Sequence, residues 1–362
     1  MYYIFLALAV LSLIGFFTFL LKKIRPFWKK LLGLLISLAF VLIFSFLFVF
    51  PPIGKIYPEY VKDVGSEVVF IKHPTTYKNY ETEEGIREVP IRVWFPKDVK
   101  NDPLPVFIFS HGSFGTDISN EVLFKELAAN GFIVLSLSHP YHSFVTKLSN
   151  GKSVRLDQAF MKEVISQNKG MSYEERLGNF RRWVGLHVED MKALLDEILA
   201  ESLPEKLNGR IDSDNIFLSG HSLGGAAALE VGRNRSDIIK AVVSLEAPFF
   251  GDIIDSNKEG FIYTDQEYPI PVLHFYSDAL WDRLPSLVGS EYDTNVKLLD
   301  ANPEKFINIH VEGAGHLGLT DLMINSPFIA SMIDGNLNKA DYKDVLRIIN
   351  SNTLKFLNKY SK

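Results

Sequence analysis

The sequence predicts an α/β protein in which a mostly parallel, eight-stranded sheet is flanked by helices and preceded by a two-helix transmembrane hairpin. Two observations carry this prediction. Of the first 50 residues, 38 are apolar. After residue 52, short runs of β-branched and aromatic residues alternate with stretches of helical periodicity. Such alternation is typical of a doubly wound sheet covered by helices on both faces.

The hairpin is predicted within residues 1–52, with helices at about 2–21 and 31–50 joined by a basic turn at 22–30. At about 1.5 Å per residue, each helix covers the roughly 30 Å core of a bilayer. The charged residues of this region are all basic and all lie in the turn: Lys22, Lys23, Arg25, Lys29 and Lys30. Because basic loops stay in the cytoplasm, we expect a multi-pass protein of the cell membrane whose second part is extracytoplasmic. The alternative is a cleaved signal peptide, but its basic cluster would precede the apolar run.

Residues 53–362 are predicted to form one domain. Eight strands are expected, at 67–71, 86–95, 104–109, 132–138, 215–219, 241–246, 272–276 and 306–311. The first two are expected to pair as an antiparallel hairpin, and the later ones are near-continuous apolar runs, as strands buried on both faces are. Helices are predicted at 120–130, 181–200, 222–233 and 340–360. The polar segment 141–180 is predicted to be an insert, either a lid over a site or a surface excursion.

Composition excludes several classes of protein. The chain has 43 acidic and 38 basic residues, and the basic turn makes the remainder more acidic still, so no nucleic-acid partner is expected. The chain contains no cysteine, which excludes disulfides, thiolate metal sites and a cysteine nucleophile. No phosphate loop or dinucleotide fingerprint is present, and His139 and His142 lack a third ligand at suitable spacing, so no cofactor or metal is expected. His139 and Tyr141 are instead predicted to line the rim of a pocket.

The most informative motif is Gly220-His221-Ser222-Leu223-Gly224, which directly follows a predicted strand and opens an alanine-rich helix. A sharp turn between strand and helix forces its central serine into strained backbone geometry, and glycines on both sides relieve the crowding. Ser222 is therefore predicted to be a nucleophile, with the backbone N–H of Leu223 facing the developing negative charge. The alternative is that Ser222 only caps the helix.

A second glycine-containing loop, Ser110-His111-Gly112-Ser113-Phe114-Gly115, follows the strand VFIF. A loop at this place would supply a second donor to an oxyanion, and the backbone N–H of Ser113 is predicted to be that donor. His111 is expected to be structural and to hydrogen-bond the backbone of the loop.

The acid and the histidine of a catalytic triad are expected after Ser222 in the chain, in the order serine, acid, histidine. His316 lies in the glycine-rich run Gly313-Ala314-Gly315-His316 and is predicted to be the general base, whereas His310 lies within a strand. Two carboxylates end consecutive strands, Glu246 and Asp278. Either could orient the imidazole.

Together, the runs SHGSFG, GHSLGGA and GAGH make residues 104–321 resemble the α/β-hydrolase superfamily, and within it the platelet-activating-factor acetylhydrolase family of lipid esterases. The resemblance implies that Ser222 is the nucleophile, His316 the base, and Ser113 and Leu223 the oxyanion donors. It also favours Glu246 over Asp278 as the acid, although the family usually has aspartate there. The hairpin lies outside the resemblance.

The function expected from this resemblance is cofactor-free hydrolysis of short or oxidised acyl esters of phospholipids by a serine esterase, and the predicted hairpin would tether it to the membrane. Two alternatives remain. The same triad could serve a general carboxylesterase or peptidase that acts on non-lipid substrates, or the fold could be a non-catalytic binding protein. The residues alone support a serine hydrolase of an acyl compound, and the resemblance implies that its substrate is a lipid or small ester.

Overall fold

The computed structural model describes residues 3–52, 64–97, 103–166, 169–204, 207, 209–335 and 337–361. Its N-terminal part is a pair of helices, α1 (Tyr3–Leu21) and α2 (Phe27–Val49), which pack along each other. The rings of Tyr3 and Phe48 lie 6.3 Å apart, so the outer ends of the pair meet. Both helices are long and apolar enough to cross a membrane. The predicted domain boundary after residue 52 adjoins residues 53–63, which lie outside the described residues.

The second part of the chain is built around one eight-stranded sheet, and all eight predicted strands belong to it. Its strands are β1 (Val64–Pro74), β2 (Ile86–Pro96), β3 (Leu104–Ser110), β4 (Ile133–Leu137), β7 (Ile211–His221), β8 (Ile239–Leu245), β11 (Val272–Ser277) and β12 (Phe306–Val311). Two short hairpins stand apart from it: β5 (Val145–Lys147) with β6 (Ser153–Arg155), and β9 (Ile253–Ser256) with β10 (Phe261–Tyr263).

The strand order in the sheet is β1-β2-β4-β3-β7-β8-β11-β12. From β4 to β12 in this order, each strand is parallel to the next. At the other edge, β1 and β2 form the expected antiparallel hairpin, and β2 also runs antiparallel to β4. The prediction of a mostly parallel eight-stranded sheet is confirmed. Because parallel strands point the same way, the residues that follow β3, β7, β8 and β11 emerge at one edge of the sheet.

Helices cover both faces of the sheet. The helices of this part of the chain are α3 (Glu121–Ala129), α4 (Gln158–Ser166), α5 (Tyr173–Leu199), α6 (Ser222–Asn234), α7 (Asp293–Leu299), α8 (Leu322–Asn325), α9 (Pro327–Ile333) and α10 (Tyr342–Tyr360). Strand β3 shows the two-sided burial: Val106 and Ile108 join the core beneath α5 and α6, whereas Phe107 and Phe109 join the core beneath α3 and α10. All four side chains are fully buried, which explains why the strand is apolar throughout.

The predicted insert 141–180 contains more regular structure than its composition suggests. It holds the β5–β6 hairpin, α4 and the first turns of α5. Helix α5 begins eight residues before the predicted start because Ser172 and Glu175 form a capping box, in which each side chain accepts a hydrogen bond from the backbone N–H of the other. The role of this insert as a lid stays a prediction.

Candidate active site

Ser222 lies at the junction of β7 and α6, and its backbone has a φ of +52°. This left-handed conformation is rare for a residue with a side chain and costs about 1–3 kcal/mol. Its neighbours make the turn possible: a Cβ on Gly220 would overlap the backbone of Gly224, and a Cβ on Gly224 would overlap the carbonyl oxygen of Ser110. The two glycines of the motif are therefore required by close backbone approach, and the turn presents Ser222 at the carboxyl edge of the sheet.

His316 and Glu246 meet beside this turn. The Nδ1–H of His316 donates to Glu246 Oε1 at 2.8 Å, which leaves Nε2 of the imidazole for another partner. His221, which directly precedes Ser222, donates from Nε2 to the carbonyl oxygen of His316 at 3.0 Å, and the two rings lie 4.5 Å apart. The His316 side chain is 31% exposed, whereas Glu246 is buried. The structure thus brings the predicted nucleophile, base and first-choice acid to one place.

The ionisation of this pair suits base catalysis. Burial alone raises the pKa of Glu246, but the hydrogen bond and charge of His316, together with hydrogen bonds from Ser277, outweigh it and lower that pKa to about 2. Burial likewise opposes a charge on His316, yet the hydrogen bond to Glu246, the charge of Glu246 and that of Asp334 raise its pKa above the ordinary value. Glu246 is therefore ionised and its charge stabilises the imidazolium that forms when His316 accepts a proton.

Asp278, the alternative acid, has different partners. It accepts a hydrogen bond from His310 Nε2 at 2.8 Å and from the backbone N–H of Gly313 at 3.1 Å. The ring of His310 is stacked on that of Trp281, with centroids 5.0 Å apart. His310 lies in strand β12, as expected. Asp278 therefore supports the beginning of the loop that carries His316, but its hydrogen bonds go to His310 and Gly313 and not to the imidazole of His316.

The predicted oxyanion donors flank the nucleophile. Leu223 is the second residue of α6, so its N–H has no intrahelical partner. Within the described residues, no acceptor takes a hydrogen bond from the N–H of Ser113. The loop that carries Ser113 reaches the turn, since a Cβ on Gly112 would lie 3.1 Å from Ser222 Cβ.

Three hydrogen bonds, one of them from a residue with strained backbone geometry, hold the loop 110–115 in this position. His111, which is fully buried, donates from Nδ1 to the carbonyl oxygen of Gly112 at 2.7 Å, so it supports the loop backbone as expected. Its Nε2 lies 2.6 Å from the hydroxyl of Ser143. Phe114, with a φ of +68°, donates its N–H to the carbonyl of His142 at 3.0 Å.

The loop after His316 is anchored at two points that sequence reasoning missed. The Asp334 carboxylate accepts hydrogen bonds from the N–H groups of Leu317, at 3.1 and 3.0 Å, and of Gly318, at 3.2 Å. Asp321 accepts from the N–H of Val122 at 2.9 Å, at the start of α3. The same two segments are joined by Asn120 Nδ2, which donates to Leu319 O at 2.9 Å, and by the N–H of Asp321, which donates to Ser119 O at 2.8 Å.

A set of hydrogen-bonded polar side chains lies next to the loop 110–115. We call its members, His73, Arg87, His139 and Asp190, the Asp190 cluster. The carboxylate of Asp190 accepts from Arg87 Nε and Nη2 at 2.7 and 2.9 Å, from His73 Nε2 at 2.9 Å and from His139 Nδ1 at 2.7 Å. His139 Nε2 is 2.8 Å from the hydroxyl of Ser110, the last residue of β3. His139 is fully buried, so the prediction that it lines a pocket rim is wrong.

Tyr141, the other residue predicted at the rim, is partly exposed and donates its hydroxyl to the carbonyl of Glu81 at 2.9 Å. No sequence pattern marks the Asp190 cluster, because its members come from β1, β2, the loop after β4 and α5.

Comparison with known proteins establishes the fold. No protein-family model matches the sequence, and no curated protein is similar to it in sequence. Among solved structures, a ferulic acid esterase from Streptomyces cinnamoneus superposes with a TM-score of 0.61 at 17% sequence identity, covering 84% of this chain and 92% of that one. A dienelactone hydrolase-like promiscuous phosphotriesterase from metagenomic libraries has a TM-score of 0.49 at 14% identity, covering 81% of this chain and 98% of that one.

The first of these similarities shows that the chain has the α/β-hydrolase fold, as predicted. The narrower resemblance to the platelet-activating-factor acetylhydrolase family is not shown by these comparisons.

Proposed function

We propose that this protein is a membrane-tethered serine ester hydrolase that acts on short or oxidised acyl esters of phospholipids or related lipids. One observation supports the chemistry above all others. A serine held at positive φ between a strand and a helix directly follows His221, whose ring binds the backbone of His316, and Nδ1 of the His316 imidazole is bound to a buried carboxylate. This arrangement can activate a hydroxyl for attack on an acyl carbon.

In the proposed reaction, Ser222 Oγ attacks the ester carbonyl while His316 Nε2 takes its proton. Glu246 keeps the imidazole oriented through Nδ1–H, and the N–H groups of Ser113 and Leu223 stabilise the tetrahedral oxyanion. The intermediate then collapses, His316 returns the proton to the leaving alcohol, and an acyl-enzyme remains on Ser222. A water molecule, deprotonated by His316, attacks the acyl-enzyme, and collapse of the second tetrahedral intermediate releases the carboxylic acid while His316 returns the proton to Ser222 Oγ.

The membrane hairpin supports a lipid substrate. Helices α1 and α2 are long enough to span a bilayer, and tethering at a lipid surface raises the local concentration of lipid esters. Basic residues in the turn favour a cytoplasmic turn and an extracytoplasmic hydrolase domain. A reporter fused to the C-terminus of the full chain should then resist cytoplasmic proteases, and digestion there would contradict this orientation.

The test of the chemistry is labelling by a fluorophosphonate, which reacts with activated serines. We expect the wild type to be labelled, the S222A variant to lose all labelling, and the S213A variant, which removes an exposed serine of β7, to be labelled as strongly as the wild type. A folded wild-type protein that is not labelled would contradict the proposal and favour a non-catalytic binding protein.

A second candidate function is an esterase for soluble esters. It is favoured by the similarity in fold to a ferulic acid esterase. A series of nitrophenyl esters of rising acyl length, measured beside phospholipids with short and long acyl chains, separates the two candidates. Turnover of short soluble esters without any cleavage of phospholipid would favour the soluble-ester function.

A further inference from the structure

The segment formed by α8 and α9 follows the loop of His316 and has an unusual surface. Residues 322–333, LMINSPFIASMI, contain no charged side chain. Three large apolar side chains of α9 face outward: Phe328 is 36% exposed, Met332 64% and Ile333 61%. Phe328 and Met332 are four residues apart and so share one side of the helix. Ile333 is the next residue, at the end of the helix, and is also exposed. We call these three residues the α9 face.

This segment contacts the end of the second hairpin helix. Ser326, the residue before α9, donates its hydroxyl to the carbonyl oxygen of Val49 at 2.6 Å. The ring of Phe328 lies 4.9 Å from that of Phe48. Val49 is the last residue of α2, whose 23 residues span about 34 Å at 1.5 Å per residue. If α2 crosses a bilayer, α9 therefore lies at the depth where the apolar core meets the headgroups.

The same segment is joined to the catalytic loop. Asp334 follows the last residue of α9, and its carboxylate binds the N–H groups of Leu317 and Gly318, directly after His316. A Cβ on Gly315 would overlap that carboxylate, so the loop and the end of α9 are in close contact. The depth of α9 in a membrane thus determines the height of the catalytic loop above it.

We propose that the α9 face inserts into the leaflet at which α2 ends and holds the carboxyl edge of the sheet against the bilayer, so that ester substrates enter from that leaflet. This inference rests on the proposed function, in that it assumes that α1 and α2 cross the membrane. The occupant of the α9 face is the lipid surface, because the face continues the apolar surface of α2 without a charged residue between residues 322 and 333. Apolar side chains at such a depth are stabilised by leaving water.

The first test uses the absence of cysteine from the chain, which makes any introduced cysteine a unique labelling site. The M332C variant places a polarity-sensitive fluorophore on the α9 face. The L199C variant is the control, because Leu199 is 41% exposed at the end of α5, which leads to the first residues of β7 at the opposite edge of the sheet.

In full-length protein reconstituted into phosphatidylcholine vesicles that contain a nitroxide-labelled phosphatidylcholine, we expect the probe at 332 to be blue-shifted and quenched. The probe at 199 should be neither. Equal behaviour of the two probes would overturn the proposal, and so would a blue-shifted but unquenched probe at 332, which would indicate that a second copy of the chain covers the face.

The second test measures activity. The double variant M332Q/I333Q makes the α9 face polar without touching the triad, and L199Q is the matched control. We expect the double variant to lose about tenfold or more of its phospholipid hydrolysis in vesicles and to keep wild-type turnover of a soluble short nitrophenyl ester. An equal loss on both substrates would overturn the proposal, because it would show a structural role for α9.

These outcomes are distinct from a failure of the proposed function. A wild type that turns over neither substrate would contradict the esterase, while the quenching experiment would still report whether the α9 face enters the bilayer.

Discussion

Two imidazole–carboxylate pairs lie near the carboxyl edge of the sheet, and their hydrogen bonds are almost equal in length. His316 and Glu246 are joined at 2.8 Å, and His139 and Asp190 at 2.7 Å. The pKa of His316 is raised, whereas burial lowers the pKa of His139 despite its carboxylate partner. The His316 side chain is 31% exposed and that of His139 is fully buried.

Burial is the main cause that lowers the pKa of His139, and the charge of Arg87, which also binds Asp190, lowers it further, whereas the charge of Asp334 helps to raise the pKa of His316. Asp190 also accepts two hydrogen bonds from Arg87, whose charge, with hydrogen bonds from His139 and His73, outweighs burial and holds the pKa of Asp190 well below its ordinary value. Glu246 has no arginine partner among the described residues. A short hydrogen bond to a carboxylate therefore does not identify a catalytic histidine. A carboxylate without a competing cation, and a histidine that a substrate can reach, are better criteria.

The largest effect is expected when the contact between His316 and Glu246 is removed. Replacement of Glu246 by alanine should lower kcat by about 10⁴-fold, because the imidazole loses its orienting acceptor and the charge that stabilises its protonated form. The measurement is steady-state hydrolysis of a nitrophenyl ester by full-length protein, with circular dichroism to establish folding. A loss of less than tenfold in E246A would contradict the assignment of Glu246 as the acid.

The second prediction concerns the removal of Asp190 from the buried pair that it forms with His139. The D190A variant leaves Arg87 buried without its counter-ion, and removal of one partner of a buried ion pair costs about 3–5 kcal/mol in the free energy of unfolding. Denaturant unfolding of the full chain in detergent should show this loss, while the exposed D214A variant should unfold as the wild type does. Stability equal to that of D214A would show that the Asp190 cluster contributes little.

The third prediction sharpens the electrostatic contrast. Only neutral His316 can accept a proton from Ser222, so kcat/KM should fall as the pH drops through the pKa of His316, which lies above the ordinary value of 6.5. In the E246Q variant the carboxylate charge is absent, and the acidic limb of the remaining activity should move to lower pH. An unmoved limb would show that another group controls it.

The smallest expected effect concerns Asp278. The D278A variant removes the partner of His310 and one support of Gly313, but leaves the contact between His316 and Glu246 intact. We expect a loss of kcat below about tenfold, measured beside E246A on the same ester. A loss in D278A that matches or exceeds that in E246A would reverse the order of the two acids.

The sequence predicts the main sheet well because local signals define it. Strands such as β3 are apolar throughout, and glycines mark the turns that must follow them, so the eight strands, the antiparallel edge and the alanine-rich helix after Ser222 are all found. The start of α5 is misplaced because the capping pair Ser172 and Glu175 lies in a polar stretch whose periodicity is weak. The β5–β6 and β9–β10 hairpins have strands of three or four residues, too short to show a period.

In the candidate site, too, the residues in local motifs could be predicted, and those that depend on contacts between distant segments could not. Ser222 and His316 lie in glycine-rich motifs that require particular backbone geometry, and those motifs can be read locally. The residues themselves did not decide between Glu246 and Asp278, because both directly follow strands and emerge at the same edge of the sheet. Only the tertiary structure determines which carboxylate contacts the imidazole of His316. The Asp190 cluster joins residues up to 117 positions apart, and neither residue type nor spacing indicates such a contact.

The hydrogen bonds between residues 119–122 and 319–321 have a consequence for motion. Three such bonds join the start of α3 to the segment just after His316. An opening fluctuation of that segment must break them together, so amide hydrogens of both segments should exchange with solvent at correlated rates. The segment just after His316 and the first turn of α3 then form one cooperative unit of local unfolding.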